Sequence, residues 1–187
     1  AQRSDLELQI DRAECAYLGT DFDALDAAAD AAHALAATPT DRARIDEVMV
    51  RAYNHRGEHA RAVQVALSSL SALGYDFAPS PSPVHVISGL TLTRWRLRGR
   101  RPEELDALPR LTDPAQAAAL RLMMTVSASA FFVAPTLFPL LALKVVQVTL
   151  AHGRSPIAAF GYAAYGLLLA VHFGQLDLGF GFGELAR

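Results

Sequence analysis

The sequence predicts an all-α protein, an α-solenoid of antiparallel helix pairs. Three observations carry that expectation. Apolar residues recur at three- and four-residue steps in successive windows, each closed by Gly, Pro or a capping acid. No stretch shows sustained strand alternation bounded by turn signals. Finally, the segments 13–25 and 50–62 align without a gap at a spacing of 37 residues.

The elements follow in order. Leu6, Ile10, Ala13, Tyr17 and Leu18 form one face of a first helix, with Glu7, Asp11 and Glu14 between them. Ser4 or Asp5 caps it and Gly19 ends it. Asp21 caps a second helix, 22–37, closed by Thr38 and Pro39. Thr40 and Asp41 open a third, 42–56, which stops at Gly57. A fourth runs over 58–73 and stops at Gly74. Pro79, Pro81 and Pro83 remove three backbone donors and restrict the residues before them, so 79–83 is a Pro/Ser loop. Residues 1–78 are thus two helix pairs, and 84–187 an irregular continuation whose last repeat is truncated.

Beyond the loop, helices are expected over 84–98, 103–108 and 137–152. Asp113 and Pro114 open another that runs to about Phe131. Ser155 and Pro156 open one ending near Phe173, and a last helix begins near Leu176.

The repeat has a physical logic. Two helices joined by a tight turn need small residues where their backbones approach. A large residue at the start of the second helix plugs the space between them. One pair cannot bury both of its faces, so pairs stack. Phe22 and His59 hold the plug position, with Leu25 and Ala62 three residues later. A third copy is 174–179, where Leu176 lies 117 residues after His59, close to three spacings. Two irregular pairs are expected between. Tyr17, Phe22, Tyr53, Leu67, Trp95, Leu122, Phe138, Phe160 and Tyr165 are expected to be mostly buried.

The turn Gly57-Glu58-His59-Ala60-Arg61-Ala62 resembles the tetratricopeptide signature, in a degenerate form: His59 replaces the aromatic, and Thr20 stands where the first copy should have Gly. The whole chain also resembles a helical segment of very large bacterial signalling proteins. The motifs that carry this are Gly19-Thr20-Asp21-Phe22, Leu73-Gly74-Tyr75 before the Pro/Ser loop, and Leu97 to Leu105 with Leu111 to Pro114. His152 to Pro156 and Phe160 to Gly166 complete the set. The resemblance implies a piece lying between an AAA/STAND-type ATPase module and a GAF region, in a chain that also carries Ser/Thr-kinase-like or sensor histidine kinase parts. No ATPase or kinase motif occurs in these residues, so those activities are not carried over.

Composition narrows the function classes. Apolar residues make up 52% of the 187, too many for a disordered chain. The net charge of -2 gives no overall attraction to nucleic acid. The single Cys15 excludes an internal disulfide and a Cys-based zinc site. Early acids at Asp5 and Glu7 argue against a signal peptide and for the cytoplasm. Residues 122–143 and 155–176 are each charge-free and long enough to cross a bilayer. Pro135, Pro139 and His172 interrupt them and no aromatic belt frames them, so the expectation is helices buried on several sides.

Three patterns invite chemistry. His55-Arg56-Gly57-Glu58-His59 spells the inverted zinc-protease motif, but Gly57 falls in an interhelical turn and no third ligand is evident. Zinc-dependent hydrolysis by His55, Glu58 and His59 is therefore an unfavoured alternative. Gly179, Gly181 and Gly183 lack the dinucleotide-binding order and point to close helix packing. Arg94, Arg96, Arg98, Arg100 and Arg101 form the one strong charge run, a surface for an anionic partner or a helix C-terminus neutralised by Glu103, Glu104 and Asp106.

The leading expectation is a non-catalytic scaffold that binds protein or neighbouring domains of its own chain, without cofactor or metal. No nucleic-acid or membrane partner is expected. The apolar C-terminal helix (Leu176, Leu178, Phe180, Phe182, Leu185) is expected to fray or to self-associate, giving a homo-oligomer. A second alternative is a ligand sensor whose apolar pocket is lined by Phe131, Phe132, Phe160, Tyr162 and Tyr165.

Overall fold

A computed structural model describes residues 2–98, 100 and 102–186. Across these the protein is all-α, with ten helices and no strand. In order they are α1 (Gln2–Leu18), α2 (Phe22–Leu35), α3 (Pro39–His55), α4 (His59–Ala72) and α5 (Pro83–Leu97). There follow α6 (Pro102–Asp106), α7 (Pro114–Val133), α8 (Leu137–His152), α9 (Ala158–Phe173) and α10 (Leu176–Leu185).

Local chemistry sets the ends. Asp21 accepts a hydrogen bond from the Ala24 N–H at 3.0 Å, and Asp113 accepts one from the Ala115 N–H at 2.8 Å. The start of α3 lies earlier than the expected Thr40. Thr38 and Asp41 form a reciprocal capping box with Pro39 at the first helical position, so Thr38 opens α3 instead of closing α2. Likewise Ser4 and Asp5 sit inside the first turn of α1 and do not cap it.

Consecutive helices joined by short turns pack on one another: α1 on α2, α3 on α4, α7 on α8, α9 on α10. Between these pairs, α3 packs on both α1 and α2, and α7 packs on both α3 and α4. The next helix in space after α4 is therefore α7. Helices α5 and α6 leave this order: α5 lies on α8 and α6 on α10. Of the two irregular pairs expected between the second and last repeats, only α7 and α8 pack on each other; α5 and α6 pack on other helices and form no pair.

Two clusters of buried apolar side chains result. One runs from Leu6 through Leu25, Tyr53 and Leu70 to Leu122 and Val148, crossing the Pro/Ser loop in sequence. The other joins Leu90 and Leu97 to Leu143, Tyr165 and Phe182. Of the nine residues expected in the core, Tyr53, Leu122 and Tyr165 are buried, and Tyr17, Phe22, Leu67, Phe138 and Phe160 are partly buried against the first cluster.

Trp95 corrects the expectation: it is 68% exposed. Helix α5 meets α8 through Leu90, Thr93 and Leu97. The side chain two residues after Thr93 is rotated about 200° around the axis and faces away.

Candidate interaction surfaces

The repeat turns build a seam between successive pairs. Phe22, at the start of α2, meets the His55 ring edge-on at 6.4 Å, and the Arg56 guanidinium lies 4.9 Å over its face. Tyr17 approaches the same His55 ring at 6.1 Å. Thirty-seven residues on, His59 at the start of α4 stacks on Phe132 at 4.8 Å. Its Nδ1 lies 2.9 Å from the Ser129 hydroxyl, which donates to Asn54. The Asn54 amide donates to the Thr125 carbonyl at 2.9 Å. Each large residue thus reaches the first helix of the next pair. The apolar residues three positions later, Leu25 and Ala62, are enclosed.

This seam separates the residues of the zinc-like motif. His55 turns to Tyr17 and Phe22, while His59 turns to Ser129 and Phe132. Glu58 pairs with Arg56 at 2.5 Å. No group of three metal-ligating side chains occurs among the described residues.

The basic run ends α5. Arg94, Arg96, Arg98 and Arg100 are exposed beside the exposed Trp95, and Arg101 lies outside the described residues. Of the expected neutralising acids, Asp106 pairs with Arg154 instead, and the Glu103 side chain lies outside the described residues. Arg96 acts on Lys144 instead. Burial, and then this neighbouring cation, lower the affinity of the Lys144 amine for its proton.

The five aromatics proposed to line an apolar pocket do not gather around one. Tyr162 and Tyr165 are buried against Phe182, with rings 6.2 and 4.8 Å apart. Phe160, Phe131 and Phe132 form a separate chain of edge-on rings through Phe138, with Phe131 and Phe132 exposed to solvent. An apolar groove of about 390 Å³ lies elsewhere, between α5, α8 and α9, lined by Val86, Ile87, Leu90, Pro135, Pro139 and Leu168 among others.

Apolar exposure concentrates late in the chain, at Phe131, Phe132 and Val133 of α7, Leu167 and Val171 of α9, and Leu176 and Phe180 of α10. Helix α7 is long and apolar enough to cross a membrane, and half of that window is buried within the fold. Of the three glycines near the C-terminus, Gly179 meets a neighbouring helix: a Cβ there would stand 2.7 Å from the Gly166 carbonyl of α9.

Sequence reading missed Glu47. It is 7% exposed and held between Arg51 at 2.5 Å and Arg121 at 3.0 Å. Its only sequence signal is an i,i+4 Glu–Arg pair, which surface helices also carry.

No family model, curated protein or solved structure matches the chain.

Proposed function

We propose that the chain is a non-catalytic, tetratricopeptide-like solenoid that mediates contacts between proteins, or between domains of a larger bacterial signalling protein, in the cytoplasm. The observation that carries this reading is the repeated seam. Phe22 and His59, 37 residues apart, each reach the C-terminal end of the next pair's first helix. A unit that propagates by the same contact builds a long surface with few deep cavities, which suits protein recognition. The exposed apolar side chains of α7, α9 and α10 supply a covered-face candidate, for a neighbouring domain or for a second copy of the chain. The resemblance to segments between ATPase and GAF modules supports the interdomain role.

The test is site-specific photo-crosslinking in the native host, with a benzophenone amino acid at Phe132, Leu167 or Phe180. Exposed Gln64 and Ser88 serve as controls. Discrete protein adducts from the apolar positions, absent from the controls, are expected. Adducts at none of the three sink the scaffold reading. Adducts with the chain itself identify self-association.

A further inference from the structure

We propose that a cavity at the start of α9 is a binding site for a small organic phosphate. It has a volume of about 650 Å³, and three arginines, Arg110, Arg121 and Arg154, line it. They come from three segments: the stretch before α7, α7 itself, and the turn between α8 and α9.

That frame is fixed by backbone. The Leu111 N–H donates to the Arg154 carbonyl at 2.9 Å, and the Arg154 N–H donates to the Pro109 carbonyl at 2.8 Å. Arg110 and Arg154 are thus paired across a parallel bridge. Gly153 makes the close approach possible: its φ is +106°, and a Cβ would stand 2.5 Å from the Pro109 carbonyl.

The charges in this frame are incompletely balanced. Arg121 shares the Glu47 carboxylate with Arg51, which also pairs with Glu14 at 3.6 Å, so the imbalance rests on Arg110 and Arg154. Arg154 pairs with Asp106, a side chain 71% exposed and therefore easily exchanged. No ion pair engages Arg110 among the described residues. Two like charges paired across a bridge repel unless something between them is negative.

Two further observations point to that anion. The N-terminus of the 16-residue α9 has no side-chain cap, and Ser155, Pro156 and Ile157, which precede it, line the cavity. The Ala158 N–H is taken by the Ser155 carbonyl, and the dipole of the first turn beyond it favours a negative group there. The Ser155 hydroxyl is buried and has no hydrogen-bond partner. A buried hydroxyl without a partner is costly, and turning it into the cavity would let it donate to a phosphate oxygen.

The cavity is too large for a bare ion and falls in the size range of small-molecule sites. Leu111, Ala117 and Ile157 supply an apolar wall. The ligand class is a phosphate monoester on an apolar body: the dianion answers several guanidiniums, and the body fills the wall.

Titration calorimetry of the intact chain tests this with phenyl phosphate, inorganic phosphate and benzoate. Phenyl phosphate should bind one-to-one, at least about tenfold more tightly than either of the others. Arg110→Gln should weaken it by about tenfold. Arg110 has no ion pair among the described residues, so this variant separates binding from folding. Ser155→Ala should weaken it a few-fold, and Arg98→Gln, away from the cavity, should leave it unchanged. No saturable heat at about 10 mM phenyl phosphate overturns the site, as does binding indifferent to an Arg110→Gln/Arg154→Gln double variant. Benzoate binding as tightly as phenyl phosphate overturns the phosphate class.

Discussion

Thr20 occupies the turn position that Gly57 holds 37 residues later, and both are left-handed, at φ 57° and 73°. The two turns close the same way. The Asp21 N–H reaches the Ala16 carbonyl at 2.9 Å, and the Glu58 N–H reaches the Tyr53 carbonyl at 2.9 Å. A β-branched residue is strained there by roughly 1–2 kcal/mol, while glycine is not. Thr20→Gly should therefore stabilise the protein by about 0.5–1 kcal/mol once glycine's extra unfolded-state entropy is subtracted. Chemical denaturation reads this directly, and a lowered midpoint would refute it.

Gly179 and Gly183 share α10 but predict opposite signs. A Cβ at 179 meets the α9 backbone, whereas one at 183 meets nothing within 4 Å. Gly179→Ala should cost about 1–3 kcal/mol by forcing α9 and α10 apart. Gly183→Ala should gain up to about 1 kcal/mol through helix propensity. Melting curves of the two variants side by side check the pair, and equal shifts would contradict it.

The Tyr162 hydroxyl is buried without a hydrogen-bond partner. Burial pushes its pKa up to about 12, against the pull of nearby Arg154. Tyr162→Phe should raise stability by about 1 kcal/mol at neutral pH. The raised pKa also sets a sign. Titration of Tyr162 costs no stability below pH 10, and stability is lost as pH rises from 10 towards about 12. The phenylalanine variant should lose less stability than the parent across that window, as denaturation at fixed alkaline pH values would reveal.

Glu7 of α1 accepts two hydrogen bonds from the Arg44 guanidinium of α3, both at 2.6 Å. That contact holds its carboxyl below the ordinary 4.5, and burial opposes the shift. Its contribution is present above pH 4.5 and is lost as pH falls through the lowered value. Both side chains are partly exposed, so the contribution stays below about 1 kcal/mol. Glu7→Gln should lower stability slightly at pH 7, and by a smaller amount at pH 3. Equal losses at the two pH values would mean the pair acts by packing.

Helices were legible because breakers and caps are local. Asp21, Gly57, Gly74, Pro114 and Gly174 each mark an end by their own conformational chemistry. What was illegible depends on partners. Trp95 looks like core by residue type, yet which face of α5 is covered is decided by α8, some fifty residues later. Thr38 was read as a stop because its bond to Asp41 competes with a simpler reading of Pro39. The contact of Glu47 with Arg121 and the meeting of Arg110 with Arg154 join residues 74 and 44 positions apart, and no periodicity reports such distances.

Helix α8 belongs to both halves. Leu141, Val145 and Val148 sit in one buried cluster, Leu143 and Val146 in the other. It is a party wall, and neither room can be emptied while it stands. The proline-rich stretch looks like a seam where a chain could come apart, yet melting either side would strip one face of α8 to water. Heat should therefore dissolve the whole fold in a single step, with calorimetric and van't Hoff enthalpies in agreement. A weakening such as Val146→Ala, made on one side of the wall, would be felt in the hydrogen exchange of helices on the other.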